Sequence, residues 1–244
     1  MKAAALLIFL ALVGCDAVPG ARDARVDSAV GSAEFPVASR PVSPIVSSRW
    51  STEEARDKAN EADQVMNIAG INPGMTVADI GAGEGYYTIR LANRVGPQGR
   101  VLAQDVIADV RNKLANRVNR ERLDNVSVKL GTVEDPKLPA NSFDRIFMVH
   151  MYHEIEKPLE FLWRMRPALR VGGRVVIVEG DRATQYHGTP PALLECELQA
   201  TGYHQIEIHP MPQISGYLAM FEASGGRPEP AAIKPCKPSA AKKS

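Results

Sequence analysis

The feature that most constrains the fold of this chain is the segment VADIGAGEGYYTIRLA at residues 77–92. A short apolar run leads directly into a loop with glycines at positions 81, 83 and 85, and the residues that follow have a helical pattern. Glycine has no side chain to hold a ligand away, so a loop of this kind lets the backbone approach a bound molecule closely. The segment predicts a strand–loop–helix unit that holds part of a nucleotide-like ligand.

Strands and helices alternate through the rest of the central region. Further strands are predicted at RVLAQDV, NVSVKLG, SFDRIFMV and RVVIVEG, with helices such as ADVRNKLANRVNRER and PLEFLWRMRPALR between them. This alternation indicates a parallel sheet that is covered on both faces. YHQIEIH and SGYLAMFEA are separated only by MPQI, so we expect an antiparallel pair. The predicted fold is α/β, doubly wound and Rossmann-like, with a seven-stranded, mostly parallel sheet and an antiparallel C-terminal hairpin at its edge.

The N-terminal residues resemble an export signal. Lys2 precedes an apolar run that ends in Leu12-Val13-Gly14-Cys15, an order that resembles the bacterial lipobox, in which the cysteine is diacylated. A translation start placed too early, adding a chance apolar segment, is the alternative. We expect a signal peptide at 1–14, a lipidated Cys15 and flexible tether at 15–48, a folded domain at 49–224 and a disordered tail at 225–244. The expected location is the bacterial cell envelope, where the lipid on Cys15 anchors the periplasmic protein to a membrane.

Composition and spacing argue against several partners. A formal net charge of +1 lacks the basic excess of nucleic-acid-binding proteins, so we expect no nucleic-acid partner. No His/Cys cluster has metal-ligand spacing, which predicts no metal site. Cys196 lies in an apolar helical stretch and is predicted to be a core residue; a disulfide with Cys236 stays open. A helix is predicted from the capping-box residues 51–54 to about Ala69.

Polar residues follow the predicted strands where an α/β sheet binds its ligand. In such sheets the crevice lies outside the carboxyl ends of the strands. The residues that should meet there are 79–86, Asp105, 131–135, 150–154 and 179–182. This group of acidic, histidine and tyrosine side chains is more polar than a core requires, and it predicts an active site.

The spacing and acids of the glycine loop indicate which ligand it holds. The loop has G-x-G-x-G spacing, whereas dinucleotide-binding loops have G-x-G-x-x-G. Asp79 and Glu84 would repel a pyrophosphate by about 1–4 kcal/mol each, but they suit the ammonium and sulfonium groups of S-adenosylmethionine. Asp105 could accept hydrogen bonds from a ribose, or could cap the following helix. The loop favours this methyl donor over NAD.

Three sequence blocks carry a family resemblance. VADIGAGEGYYT resembles the first motif of class I S-adenosylmethionine-dependent methyltransferases, and RVLAQDV resembles their second, acidic strand end. Residues 141–179 are similar to the fourth-to-fifth-strand block of methyltransferases that act on small molecules and quinones. The resemblance covers roughly residues 52–222. It implies an S-adenosylmethionine-dependent methyltransferase with a small-molecule acceptor.

The resemblance also implies positions for the donor. The methionine portion is expected at Asp79, Gly81 and Gly83. Gly85 is expected to permit close helix packing, with Tyr86 beside the loop. The ribose is expected at Asp105, and the adenine between Val106 on one side and Thr132 and Val133 on the other. The family often has aspartate where this chain has Thr132, and Glu134 or Asp135 could replace it.

His150 and His153 are the predicted catalytic residues, because the end of the fourth strand faces the transferred methyl group in this family. A base is needed only if the acceptor must lose a proton, and hydrogen-bonding support is the alternative role. Residues 183–191 are predicted to line the acceptor pocket. Two rival functions are a non-catalytic lipoprotein binding module that retains the fold, since the donor is made in the cytoplasm, and a nicotinamide-dependent oxidoreductase, which the loop disfavours.

Overall fold

The computed structural model describes residues 34–45 and 52–237. Seven strands and six α-helices lie in this part of the chain. The strands are β1 (Thr76–Ile80), β2 (Arg100–Asp105), β3 (Val126–Leu130), β4 (Phe143–Val149), β5 (Leu169–Gly180), β6 (Tyr203–Met211) and β7 (Gly216–Ala223). The helices are α1 (Glu53–Lys58), α2 (Glu61–Ile68), α3 (Tyr86–Val95), α4 (Ala108–Arg120), α5 (Pro158–Met165) and α6 (Pro191–Ala200).

The seven strands form one sheet in the order β3-β2-β1-β4-β5-β7-β6. Strands β1 to β5 pair in parallel, and β7 is antiparallel to both β5 and β6. The predicted fold class is confirmed, including the C-terminal hairpin, whose link is too short for a parallel crossover. The chain runs outward from β1 to β3 and then returns to β4 on the other side of β1. This reversal opens a crevice above the carboxyl ends of β1 and β4.

The central strands are buried on both faces, which explains their continuous apolar runs. Along β1, Ala78 and Ile80 pack into one core cluster, whereas Val77 packs into the cluster on the opposite face. Along β5, Val175 and Val176 divide between the two clusters in the same way. Side chains alternate across a strand, so the helices on each side receive their own set of apolar contacts.

The single helix predicted before β1 is wrong, because the chain forms two short helices there. The Thr52 hydroxyl accepts a hydrogen bond from the Ala55 N–H at 3.2 Å and caps α1, one residue after the Ser51 cap that the capping-box spacing implies. Asn60, with φ of 52°, then breaks the path before α2. Asparagine tolerates this left-handed conformation better than most residues. The break turns Glu61 inward, where it is 3% exposed.

Residues 34–45, here called the strap, pack on the domain, against the prediction of a flexible tether up to residue 48. The Arg40 guanidinium is buried; its Nε lies 3.0 Å from Glu197 Oε1 and its Nη2 donates to the Tyr152 carbonyl oxygen at 3.3 Å. The Ser43 hydroxyl donates to the Thr184 carbonyl oxygen at 2.5 Å. These contacts join residues more than a hundred positions apart, so no local pattern reveals them.

The disordered tail predicted from residue 225 is also corrected, because residues 225–237 belong to the fold. Cys236 forms a disulfide with Cys196 of α6. Ile233 is buried against Trp163 of α5, and the Trp163 Nε1 donates to the Pro228 carbonyl oxygen at 2.7 Å. The proline-rich composition resembles that of a linker, but a covalent link and an aromatic contact hold this segment. Residues 238–244 lie outside the described part.

The predicted signal peptide and lipidated Cys15 lie outside the described residues, as does the tether up to residue 33. These features stay predictions. Within residues 34–45 and 52–237, each helix falls short of the length and apolarity needed to cross a membrane.

Candidate functional site

A cavity of about 210 Å³ opens at the carboxyl ends of β1, β2 and β4. Its walls come from the loop after β1, the ends of β2 and β4, the turn at residues 154–156 and the inner side of α1. We call it the sheet-end cavity. The position agrees with the crevice expected where the strand order reverses. Its wall also includes Ile45 of the strap, so residues before the sheet help to enclose it.

The glycine loop has a backbone that only glycine adopts readily. Gly81, Gly83 and Gly85 have φ of 66°, 56° and 93°, in the left-handed region that disfavours other side chains. A β-carbon at Gly85 would lie 2.5 Å from the Leu114 Cδ1 of α4, so glycine there lets α3 begin close to α4. A β-carbon at Gly83 would have open space within 4 Å. The loop therefore offers bare backbone to the cavity.

Asp105 connects this loop to the end of β2. Its Oδ2 accepts a hydrogen bond from the Gly83 N–H at 3.0 Å, and its Oδ1 accepts one from the Ile107 N–H at 2.9 Å. Asp105 is not the N-cap of α4, which is Ile107. Each carboxylate oxygen has a second lone pair, and the side chain forms part of the cavity wall. It can therefore accept further hydrogen bonds from a ligand's hydroxyl groups.

Gln104 is a cavity residue that the sequence analysis missed. Its side chain is 1% exposed and reaches the cavity wall, and within the described residues its Nε2 has no hydrogen-bond partner. A β-carbon on Gly131 would lie 1.9 Å from this Nε2, so the amide depends on the glycine opposite. A buried donor without a partner is unfavourable, whereas a ligand acceptor atom would satisfy it. The sequence feature that could have identified Gln104 is its polar side chain at the end of a predicted strand, directly before Asp105.

The cavity wall is rich in carboxylates. Five acidic residues contribute to it, against the single arginine Arg56. The acidic residues are Glu53, Glu84, Asp105, Glu154 and Glu156. Glu53 is held ionised: its hydrogen bond from Arg117 lowers the pKa of this carboxyl below the ordinary value. An excess of negative charge favours a cationic ligand and disfavours a pyrophosphate.

Seven of the eleven residues predicted to bind the donor or to act in catalysis are on the cavity wall. They are Gly81, Gly83, Tyr86, Asp105, Val106, Val133 and His150. Asp79 is off the wall and 3% exposed, with its Oδ2 accepting from the Thr88 hydroxyl at 2.6 Å. Gly85 is also off the wall, in contact distance of α4. Thr132 is used within its own turn, where its hydroxyl oxygen accepts from the Asp135 N–H at 3.1 Å.

His150 is the imidazole that reaches the cavity. Its Nε2 lies 3.3 Å from the Glu61 Oε1. Glu61 also accepts hydrogen bonds from the Arg56 Nη2 at 2.6 Å and from the Tyr87 hydroxyl at 3.0 Å. Burial by itself would raise the pKa of Glu61, but the hydrogen bonds from His150 and Arg56 outweigh it and lower that pKa to about 2. The pair thus joins an imidazole to a carboxylate that its hydrogen-bond donors keep ionised at neutral pH.

His153 lies off the cavity wall, in a separate buried cluster. Its Nδ1 lies 2.9 Å from the Glu179 Oε2, and Glu179 is fully buried. The 183–191 segment, predicted to line the acceptor pocket, contributes no residue to the sheet-end cavity. Its His187 instead stacks edge-on against His153, with ring centroids 5.4 Å apart. The two histidines expected to work together are therefore divided between two environments.

Comparison with known proteins gives consistent results. Residues 71–214 match a family model described as a methyltransferase domain. The chain is 30% identical over 168 residues to the ubiquinone/menaquinone biosynthesis C-methyltransferase UbiE of Hydrogenovibrio crunogenus, covering 65% of this chain and 59% of that protein. It is 24% identical over 175 residues to the arsenite methyltransferase of Halobacterium salinarum, covering 64% and 44%. The chain thus spans only about half of these relatives.

Solved structures share the fold. A SAM dependent methyltransferase from Aquifex aeolicus superimposes with a TM-score of 0.63 at 25% identity, covering 68% of this chain and 91% of that one. The [4+2]-cyclase SpnF superimposes with a TM-score of 0.57 at 18% identity, covering 78% and 89%. The second likeness concerns the fold alone.

Proposed function

The chain belongs to the methyltransferase domain family, and from this premise we propose that it transfers a methyl group from S-adenosylmethionine to a small-molecule acceptor. The observation that carries the proposal is the sheet-end cavity, where bare glycine backbone, Asp105 and the Gln104 Nε2, which has no hydrogen-bond partner among the described residues, meet within an acidic wall. A cationic sulfonium compound that carries a ribose and an adenine matches all four features. A dinucleotide would place two phosphates against the same acids.

The residues of the cavity can be assigned to parts of this cofactor. The Asp105 carboxylate would accept hydrogen bonds from the ribose hydroxyls, and the Gln104 Nε2 would donate to an acceptor atom of the nucleoside. Val106 and Val133 offer apolar surface for the adenine ring. Gly81 and Gly83 leave room for the methionine portion. The cofactor supplies a methyl group that is already activated by the positive sulfur.

Methyl transfer of this kind asks the protein mainly for alignment and for exclusion of water. Arg56 lies with its guanidinium carbon 3.8 Å from the centre of the Tyr86 ring, and Arg90 lies at the same distance from that ring. The Tyr86 hydroxyl donates to the Asp57 Oδ1 at 2.9 Å. These contacts fasten α1 to α3 at the cavity wall, to which Glu53 and Arg56 belong, and α1 would there help to shield the reacting groups from solvent.

His150 is the proposed proton acceptor when the substrate carries a hydroxyl group or an activated ring carbon. Glu61 is ionised over the physiological range because its pKa is about 2, so the contact at His150 Nε2 requires a hydrogen on that nitrogen. Nδ1 is then the basic nitrogen. His153, which the sequence analysis paired with His150, has no access to the cavity wall and is assigned no proton transfer here.

The proposed acceptor is a small organic molecule. Ile45, Val149, Met151 and Phe161 add apolar side chains to the acidic wall of the cavity, and such surface suits an organic ring. The quinone-pathway name of the first relative suggests a hydroxylated ring as the first class to try. Ring substrates of this type need the base that His150 offers.

The proposed location is the cell envelope, with a lipid anchor on Cys15. The apolar run before this cysteine supports the proposal, and so does the Cys196–Cys236 disulfide, because disulfides persist in oxidising compartments. A location in the cell envelope also supports a second candidate function, a non-catalytic binding module. S-adenosylmethionine is made in the cytoplasm, so a protein in the envelope would be separated from its methyl donor. The presence of His150, the proposed base, on the cavity wall favours catalysis over this alternative.

The donor site is tested by calorimetric titration of S-adenosylmethionine into the full chain. Asp105→Ala should weaken binding about 100-fold, because two charge-assisted hydrogen bonds of about 1.5 kcal/mol each are lost. Asp109→Ala, four residues further on an exposed helical turn, is the matched control and should bind as the wild type does. Absence of binding by the folded wild-type chain would refute the donor assignment.

Catalysis is tested separately with S-adenosylmethionine labelled in its methyl group. The wild-type chain should label at least one small molecule of a cell-envelope extract, and His150→Ala should lower that labelling while leaving donor affinity within about threefold. Donor binding without any labelled product would instead support the binding-module function.

A further inference from the structure

A second cluster of ligand-type side chains lies beside the sheet-end cavity. His153, Glu154 and His187 each offer one atom to a common point, and these three atoms lie within 4.8 Å of one another. The His153 Nε2 is 4.0 Å from the Glu154 Oε1. His153 and Glu154 come from the turn after β4, whereas His187 follows β5 by seven residues. No sequence spacing reveals the group, because the fold brings its two halves together.

Glu179 fixes the orientation of the His153 ring through its Nδ1 atom. The His153 Nδ1 lies 2.9 Å and 3.1 Å from the two carboxylate oxygens of the fully buried Glu179. Glu179 Oε1 also accepts from the Tyr152 N–H at 3.0 Å. A carboxylate in this position requires the hydrogen on Nδ1, which leaves the Nε2 lone pair directed toward Glu154 and His187. Metal-binding histidines are characteristically oriented by such a carboxylate.

We propose that His153, Glu154 and His187 bind a divalent transition metal ion, with Zn²⁺ as the first ion to test and Glu179 as the group that orients His153. Two imidazoles and one carboxylate form a donor set that Zn²⁺ and neighbouring first-row ions accept. Ligand atoms around a tetrahedral Zn²⁺ lie about 3.3 Å apart. Rotation of the Glu154 and His187 side chains, both of which are only half-buried, would shorten the distances between the three ligand atoms from at most 4.8 Å to this value.

The charges around the cluster suit a dication. Glu154 and Glu179 bring two carboxylates, while the Arg182 Nε donates to the His187 carbonyl oxygen at 3.0 Å and contributes one positive charge. The sum is one net negative charge, which favours a cation over an anion at this position. Three protein ligands leave a coordination position open, as in metal sites that also bind a substrate or water.

The position of Glu154 relates the metal site to the reaction. Glu154 belongs to the wall of the sheet-end cavity as well as to this cluster. A metal ion here would lie beside the space assigned to the acceptor, a consequence that rests on the proposed function. The metal binding proposed here does not depend on the proposed methyl transfer.

The test is titration of the metal-free full chain with Co²⁺, followed by visible absorption, and then displacement of Co²⁺ by Zn²⁺. The wild-type chain should bind one equivalent, with bands typical of a four- or five-coordinate ion. His187→Ala and Glu154→Gln should each weaken binding at least 100-fold. His153 is buried, so its removal endangers folding, and the two half-buried positions carry the test instead.

His209→Ala is the matched control, because its imidazole also lies 2.9 Å from a carboxylate, that of Glu207, but on the edge strand β6. This variant should bind the metal as the wild type does. The proposal is overturned if the wild-type chain binds no Co²⁺, or if His187→Ala binds it with unchanged affinity. Circular dichroism and S-adenosylmethionine titration of the same variants show whether a loss reflects unfolding or failure of the donor site.

Discussion

At the scale of single residues, Asp79 and Asp105 end adjacent strands but have different surroundings. Asp105 accepts two backbone N–H hydrogen bonds. Asp79 is buried with the Thr88 hydroxyl as its close donor, and burial, reinforced by the nearby Asp105 charge, raises its pKa from 3.8 to about 6. The acid of the first motif and the acid of the second therefore have different functions. Asp105 is available to a ligand, whereas Asp79 is a strained charge within the core.

The raised pKa of Asp79 predicts a pH-dependent stability. The folded chain holds this proton more tightly than the unfolded chain, so stability falls as the pH rises from about 3.8 to about 6. Asp79→Asn carries no such charge. Without donor present, the unfolding free energy of Asp79→Asn minus that of the wild type should increase by up to about 3 kcal/mol between pH 4 and pH 7.

Urea denaturation across this pH range measures the effect. Asp109→Asn, which changes an exposed acid, is the control and should follow the wild-type curve within about 0.5 kcal/mol. A difference between Asp79→Asn and wild type that stays constant from pH 4 to pH 7 would show that Asp79 has an ordinary pKa.

The site residues were predictable to the extent that a strand end places a backbone position at the crevice. Gly81, Gly83 and Asp105 reach the wall for this reason. Whether a side chain faces the crevice depends on neighbours that the sequence does not reveal. Thr132 forms hydrogen bonds within its own turn, and His153 is drawn to Glu179, a residue 26 positions away.

At the scale of elements, the strap and α6 are joined by a buried ion pair. The side chains of Arg40 and Glu197 are 1% and 2% exposed, and the Tyr152 hydroxyl also donates to Glu197 at 2.6 Å. Burial raises the pKa of Glu197 against the opposing charge of Arg40. Removal of one partner of such a pair is more destabilising than replacement of both, because a buried charge is left without its counterion.

Arg40→Met should therefore lower the free energy of unfolding by about 3 kcal/mol at pH 7. The double variant Arg40→Met/Glu197→Gln should regain much of this loss. Arg94→Met, at an ion pair whose side chains are 30% and 64% exposed, is the matched control and should change stability by less than about 1 kcal/mol. Chemical denaturation of the four proteins decides the matter: equal effects of Arg40→Met and Arg94→Met would contradict the prediction.

The strands were predictable because buried apolar runs between helices leave one arrangement, a parallel sheet covered on both faces. The strap and the division between α1 and α2 were not, because each depends on tertiary contacts. Asn60 turns the chain so that Glu61 can meet Arg56, Tyr87 and His150. No periodicity in the sequence encodes that meeting.

At the scale of the whole described chain, the Cys196–Cys236 disulfide closes a loop of 40 residues. It ties the segment after β7 to α6 and holds Ile233 against Trp163. Cross-linking a loop of this length stabilises a fold by about 2–4 kcal/mol, chiefly by restricting the unfolded chain. Cys236→Ser should lose this amount of unfolding free energy.

Denaturation with and without a reducing agent measures the contribution. The reductant should weaken the wild-type chain to the level of Cys236→Ser and should leave the variant unchanged. Equal stability of the oxidised wild type and the variant would show that the link does not stabilise the fold. The composition of residues 225–244 could not predict this contact, because one cysteine among prolines and lysines does not reveal its partner.

Both ends of the described chain are attached to the same helix, at consecutive residues. Arg40 binds Glu197, and Cys236 is bonded to Cys196; Phe35 and Ile233 likewise meet at Trp163. Tension applied along the polypeptide would therefore pass from end to end through α6 and bypass the seven strands. The ionic attachment would yield before the covalent one, and the strap would detach, lengthening the chain and removing Ile45 from the cavity wall while the seven strands stay paired.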